Sequence, residues 1–450
     1  MNDQFSVFNA QLAILALLVP AGSILIAGGA LAGRRPAKSA AAGLGAVALA
    51  AIAFWAFGFA FQLGGVGLEA DLPGLEGLVW EWASPFNLDW GVMGLRGFLL
   101  LNEASTPAAL SLYLAYLPAV AVAAILPLLS LRERMPGWMA ALGGLLVAGL
   151  VYPVAANWFT GGGWLMHIGR TLGLGHGYVD PTGLSTAAFV GGLSALLGIV
   201  FFGRRLPPLP EDELPALPPA HLPVLAALGA VLFVVGGMGL AGANPIHTQA
   251  GLFTPRVGVN LALAAAGGAI LPCLYTWFTT GGADSLMAAR GAVSGVLSVA
   301  AATAFIPPWA ALLLGLAAGL LLPLVTFLVR YILRIDDPTS AIPVGLLGGL
   351  IGVLAVGLFA DGLAGQGWNA IGPEAYLGVT GQGVTGLVPA PGFAPDWPGQ
   401  ISAQLVGLAA IAGLTVVLVG ALFLIFKVLL LLWRAIPTPD KDEQDAGLEA

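Results

Sequence analysis

The sequence predicts an all-α polytopic membrane protein of eleven transmembrane helices, arranged as a five-plus-five inverted repeat followed by a C-terminal helix. Three observations carry this. Hydrophobic residues make up 58% of the 450-residue chain and charged residues 9%, with mean hydropathy +0.93, which leaves too little polar surface to cover a soluble fold of this size. Eleven apolar runs reach the roughly 20 residues needed to cross a hydrocarbon core of about 30 Å. Lastly, Asp180 to Leu193 and Asp337 to Leu350 align without a gap, share an Asp-Pro-Thr start and a Gly-Gly-Leu end, and each opens a long apolar segment. A pair of this kind, one copy per half, marks the two helices that meet at the functional centre of a membrane protein.

The runs fall at about 8–32, 40–64, 107–130, 138–158, 180–203, 223–243, 257–279, 285–305, 309–333, 340–362 and 401–433. The first lacks a charged n-region and a cleavage site, so it reads as a retained span and not a signal peptide. Arg34, Arg35, Lys38, Arg132, Arg134, Arg204, Arg205, Arg330, Arg334, Lys427, Arg434 and Lys441 share one side if the N-terminus is outside, leaving Arg96, Arg170 and Arg256 opposite. The expected topology is therefore N-out, C-in, in a plasma membrane. The segments divide as a first half 1–205 (spans one to five), a Pro-rich cytoplasmic linker 206–222, a second half 223–362 (spans six to ten), an outer loop 363–400, span eleven at 401–435 and an acidic cytoplasmic tail 436–450. A further loop at 65–106 lies on the outer face, where Trp80, Trp82, Trp90 and Trp397 suit an interfacial belt.

With this topology span five runs inward and span ten outward, so the repeat is inverted. Asp180 and Asp337 sit where an N-cap belongs, with Pro181 and Pro338 at the first helical position. Eight residues further, about 12 Å along each helix, lie Ala188 and Gly345, close to the midplane. Gly191, Gly192, Gly348, Gly349 and Gly352 around them allow close helix approach. Pro118, Pro127, Pro153 and Pro323 fall in or near spans and are expected to kink them. Arg290, about six residues into span eight, either snorkels to the interface or pairs with Asp336 or Asp337. Asp336-Asp337 reads as a cap and topology marker, since nothing nucleophilic accompanies it.

Other chemistry is not expected. A single Cys273 excludes an internal disulfide, and His167, His176, His221 and His247 have no metal-ligand spacing, so neither metal nor cofactor is expected. The net charge of −7 argues against a nucleic-acid partner. No catalytic triad, P-loop or dinucleotide fingerprint occurs, which points away from an enzyme.

Several segments, in order and with matching spacing, resemble the ammonium transporter family (Amt/Mep/Rh) over nearly the whole chain. Tyr152-Pro153-Val154-Ala155, Gly161-Gly162-Gly163-Trp164-Leu165 and His176-Gly177-Tyr178-Val179-Asp180 look like that family's approach to span five. Arg334-Ile335-Asp336-Asp337-Pro338 with Gly357-Leu358-Phe359-Ala360 looks like its span ten. Similar too are Pro20 with Gly28-Gly29, Phe54-Trp55 with Gly58-Phe59, and Ala446-Gly447-Leu448-Glu449 in the tail. The resemblance implies eleven spans, a five-plus-five inverted repeat, a homotrimer in the lipid bilayer and one narrow hydrophobic pore per subunit, with a nitrogen-regulatory protein as a partner at the tail.

The chain also departs from that family. Its two pore histidines, which line the midplane and are thought to relay a proton, map to Ala188 and Gly345. The phenylalanines of its outer gate map to the Ala115–Ala119 region and to Leu240. The cation-recruiting Trp and Ser fall near Phe159 and on Asn244, with Trp158 and Phe159 as candidate cation–π faces. Asp180 alone is kept, as a helix cap, a fixed point at the pore mouth, or both. Three functions stay open: a carrier or channel for ammonium without twin histidines, a passive pore for another small neutral molecule, and a non-conducting binding or sensing protein. An expected consequence of Ala188 and Gly345 is a midplane wider and drier than one holding two imidazoles.

Overall fold

The computed structural model describes residues 2–31, 35–83, 90–203, 206, 217, 220–337 and 339–435. Most of the linker 206–222, the tail 436–450, and Arg34, Arg204, Arg205, Pro338 and Lys441 lie outside these residues. The described residues are mostly helical, in the order α1 (Asn2–Ala16), α2 (Leu18–Gly29), α3 (Arg35–Ala53), α4 (Phe59–Leu63), α5 (Pro107–Leu131), α6 (Gly137–Leu146), α7 (Tyr152–Thr160), α8 (Trp164–Leu172), α9 (Leu184–Phe202) and α10 (Pro223–Ala243). There follow α11 (Pro245–Gln249), α12 (Pro255–Thr280), α13 (Ser285–Leu297), α14 (Pro308–Phe327), α15 (Leu347–Phe359) and α16 (Gly399–Ala435). Wider π turns replace α geometry at Phe54–Gly58, Val147–Val151, Leu328–Ile332 and Ala341–Leu346. Two short antiparallel hairpins, β1 (Glu81–Ala83) with β2 (Gly91–Gly94) and β3 (Ala375–Tyr376) with β4 (Val379–Thr380), sit in the long loops.

Among the described residues ten stretches, and not eleven, are helices long and apolar enough to cross a membrane. The difference lies in the eighth expected span, 285–305, of which only the 13 residues of α13 are helical. From Ser298 the chain continues as overlapping turns, Ala302 N–H reaching Val299 O at 2.9 Å and Phe305 N–H reaching Ala302 O at 2.8 Å. Side chains take over the groups the ladder releases. Ser298 Oγ donates to Gly295 O at 2.7 Å, while Ser185 of α9 donates to Leu297 O at 2.9 Å and accepts Ala301 N–H at 3.0 Å. An interrupted helix is stable at membrane depth when protein groups satisfy the freed backbone in this way. By contrast α5 passes through Pro118 and Pro127 unbroken.

The repeat mates pack against each other through glycine. On α2 and α10, Gly22 lies against Gly229 and Phe233, Gly29 against Ala226, and Gly236 against Val19, so numbers rise on one helix as they fall on the other. The same holds for α9 with the Ala341–Leu346 turns and α15: Gly192 meets Ala341 and Leu346, Gly349 meets Ser185 and Phe189, and Gly352 meets Ser185. Both pairs are therefore antiparallel, with backbones at contact distance because no Cβ intervenes.

The two Asp-Pro-Thr turns share a geometry the caps alone did not predict. α9 begins not at Pro181 but at Leu184, after a left-handed Gly183 (φ 64), and the π turns of span ten start at Ala341 after a left-handed Ser340 (φ 54), the aligned residue. Each aspartate caps from three residues upstream of that junction. Asp337 accepts Ala341 N–H at 3.1 Å and Ile342 N–H at 2.9 Å. Its neighbour Asp336 instead pairs with Arg134 at 3.2 Å. Arg290 does not snorkel: it is 2% exposed, within the field of Asp337 and Asp284.

Candidate functional site

The approach to Asp180, His176 to Val179, is irregular backbone that turns at a left-handed Gly177 (φ 76) and is held by two glutamines of α16. Gln400 Oε1 accepts His176 N–H and its Nε2 donates to Gly177 O, both at 2.9 Å; Gln404 does the same for Val179 N–H and O, again at 2.9 Å. The glutamine side chains thus satisfy backbone groups that no secondary structure of this segment pairs. Tyr152 then donates to Gly183 O at 3.0 Å, a site where any Cβ would strike its hydroxyl, so the left-handed turn needs glycine twice over. Asp180, 1% exposed, accepts Thr186 N–H at 2.9 Å, Thr186 Oγ1 at 2.7 Å and Thr182 Oγ1 at 3.1 Å. Tyr178 completes the group, its hydroxyl 2.8 Å from Thr186 Oγ1. The carboxyl group caps the start of α9 and is buried there.

The other expected mouth residues divide between two neighbourhoods. Phe159 faces inward, 5.1 Å from the Tyr178 ring, while Trp158 turns to the loop, donating from Nε1 to Val92 O at 2.8 Å and lying 5.6 Å from Trp164, which is 5.4 Å from Trp90. The Glu81 carboxyl lies against Gly91 and Gly65, and burial, helped by the charge of Glu69, pushes it up to about 7. Asn244 caps α11 through Ile246 N–H at 2.9 Å and donates to the Tyr116 hydroxyl at 2.9 Å. Leu240 and Ala119 are buried, and Ala115 packs with Ala13 and Ala243.

Ala188 and Gly345 come together, but not across a gap. A Cβ on Gly345 would stand 3.2 Å from Ala188 O and 2.8 Å from Leu126 Cδ1, and one on Gly191 3.1 Å from the same methyl. The Leu126 methyl of α5 thus lies where side chains on Gly345 and Gly191 would project.

Beyond Asp337 the chain opens onto a cavity of about 650 Å³ walled by Phe201, Phe202, Leu430 and Leu431 and rimmed by Arg132, Arg134 and Lys427. Thr339 Oγ1 lies 2.7 Å from Ser130 Oγ, tying this turn to the end of α5. Among the described residues no group of three potential metal ligands occurs. Sequence reasoning missed Leu126, Ser185, the paired glutamines and the tyrosines; the spacing Gln400-x-x-x-Gln404, one turn apart on an apolar helix, was the legible signal among them.

The family model described as the Ammonium Transporter Family matches residues 7–445. Ammonium transporter Amt2 of Archaeoglobus fulgidus is 29% identical over 323 residues, 71% of this chain; the match spans 63% of that relative, less than two thirds of its length. A solved structure titled Sensor Amt Protein superposes with TM-score 0.72 at 20% identity, covering 95% of this chain and 94% of that one. Candida albicans Mep2 superposes with TM-score 0.70 at 20% identity over 96% and 84%. At such identity the superpositions establish the fold.

Proposed function

The chain belongs to the ammonium transporter family, and on that premise we propose that it passes ammonium nitrogen across a plasma membrane as neutral ammonia, through a narrow pore in each subunit of a homotrimer. The observation that carries the reading is the antiparallel meeting of two Asp-Pro-Thr helices at Ala188 and Gly345 within a chain matched by the family from end to end. In this reading Asp180, Trp158, Phe159 and Asn244 form the outer mouth, Leu240 and Ala119 the gate, and Ala188 with Gly345 the midplane. Halves 1–205 and 223–362 are joined by the linker 206–222, with the N-terminus outside, the C-terminus in the cytoplasm and the tail offered to a nitrogen-regulatory protein.

Charge decides the form in which nitrogen crosses. Neither Ala188 nor Gly345 can accept a proton, and a bare cation at the midplane would face the full cost of desolvation. Ammonium is therefore expected to leave its proton outside. A second reading, a non-conducting binding or sensing protein on the same scaffold, draws support from Leu126, whose methyl lies against Gly345.

Purified protein in liposomes, with ammonium-evoked current and internal pH recorded together, separates these. Alkalinisation without current is the expected result. Saturable current would overturn the neutral mechanism, and silence in both would favour the second reading.

A further inference from the structure

Two buried histidines, one from each half of the chain, meet the same loop, 363–400. His176, on the approach to span five, is 0% exposed, its ring 4.3 Å from that of Tyr376, and neither ring nitrogen has a hydrogen-bond partner. His247, on α11 of the second half, is 8% exposed and its ring lies 5.6 Å from Trp368. The short segment from Trp368 to Tyr376 thus reaches from one half to the other as a strap. Asn369 Nδ2 donates to His176 O at 2.7 Å, Ile371 lies over Gly169 of α8, and the Tyr376 hydroxyl donates to Asp396 Oδ2 at 2.9 Å. The strap's backbone is left-handed at Asn369 (φ 53) and Ala370 (φ 59), a conformation that side chains disfavour and that these contacts must hold.

The geometry points to an acid-released clasp: a proton on His176 or His247 loosens residues 366–376 from the two halves and uncovers the approach to Asp180. A neutral imidazole can lie against an aromatic ring in a buried site, whereas an imidazolium brings a charge and two N–H donors, which at His176 nothing accepts. The charged groups around the clasp do not offset this. On the strap Glu374 is exposed and Tyr376 is bonded to Asp396; α8 turns His167 and Arg170 towards Glu69, at 3.4 and 4.0 Å; α16 presents the neutral Gln400. The other residues lining the space beside His247, from Pro181 to Ala304, are all uncharged. Burial lowers both imidazoles from an ordinary 6.5 to about 4, so the closed strap has their full support above 6.5 and loses it as pH falls towards 4. Across that interval each histidine released multiplies the open population by about a hundredfold. Asp396 acts in the opposite sense, because burial raises its carboxyl and the closed strap favours its protonated form.

Release of the strap is independent of what the protein carries, and is read without any substrate. Full-length protein in nanodiscs, with both faces at the same pH, is followed from pH 7 to pH 4 by amide exchange corrected for intrinsic rates. Exchange of the imidazole C2 hydrogens, recorded on the same samples, reports the protonation of each histidine separately. Peptides within 366–376 should open about a hundredfold more at pH 4 than at pH 7 while α5 stays unchanged, with His176 and His247 titrating well below 6.5. His176→Phe and His247→Phe each keep a ring against the strap, and each should lower the response by about tenfold or more. The double variant should abolish it, and Asp396→Asn should steepen it. A rise in exchange that persists in the double variant overturns the clasp, as does equal acceleration in α5, the mark of general acid unfolding. Should a phenylalanine variant not fold, the native protein decides alone: histidines that titrate at the ordinary 6.5, or a strap that stays closed once they are protonated, overturn it.

Discussion

Asp180 shows how far one residue can be read from its neighbours. Its place was legible because aspartate before Pro181 and Thr182 has few roles other than starting a helix, yet no local pattern marks Thr186, Tyr152 and Tyr178 as the residues around it. Asp180→Asn offers one acceptor where three donors converge and adds an amide that can only face them. A loss of about 2–4 kcal/mol is expected, read as earlier thermal unfolding in detergent, with Asp180→Ala no worse. Glu81 makes a pH-dependent case. Its carboxyl, ordinarily near 4.5, is raised to about 7 by burial and by Glu69, so the folded state holds a proton that the unfolded chain has released. Stability from this group is full below about 4.5 and is lost as pH rises through 7. The melting advantage of Glu81→Gln over the native protein should therefore be small at pH 5 and larger at pH 8; an advantage constant across that range would rule out a raised carboxyl.

At the scale of elements, the aligned threonines reveal the repeat more sharply than the helices do. Thr182 reaches Ala300, at the end of the second half's third span, and Thr339 reaches Ser130, at the end of the first half's third span. The halves thus lock each other by equivalent contacts. They differ in what is locked, since α5 is continuous and α13 breaks. The break was invisible in the sequence because apolar residues run on through Phe305 and Ile306, and apolarity measures depth without measuring helix continuity. Ser294, Gly295 and Ser298 were the only local sign, and the deciding partner, Ser185, is more than a hundred residues away. Ser185→Ala would leave Leu297 O and Ala301 N–H buried without a partner, at about 1–3 kcal/mol each. Amide exchange across 298–306 should accelerate by roughly thirtyfold or more, while exchange in α5 stays unchanged. Equal acceleration in both would mean general destabilisation and not release of the break.

For the whole molecule the question is how Leu126 bears on the path proposed between the two halves. Class and the paired helices were legible because membrane thickness and small-residue packing leave a direct imprint on composition, whereas the place of Leu126 was not: it is one leucine in the run Ile125-Leu126-Pro127-Leu128-Leu129. Its methyl stands where side chains on Gly191 and Gly345 would otherwise project. Gly345→His alone must displace that methyl or shift α9, so it is expected to fold poorly and to conduct no better than the native chain. Leu126→Ala removes that methyl without adding charge, and the space it leaves is bordered by Gly191 and Gly345. Ammonium-evoked alkalinisation of liposomes should then rise while current stays at baseline, because the new space still lacks a group that carries a proton. Combining Leu126→Ala with Gly345→His and Ala188→His supplies both the room and the titratable pair, and here current should appear with the alkalinisation. Current in Leu126→Ala without the histidines would show that water entering the groove suffices to carry the charge, and would remove the side chains at the midplane from the account of selectivity.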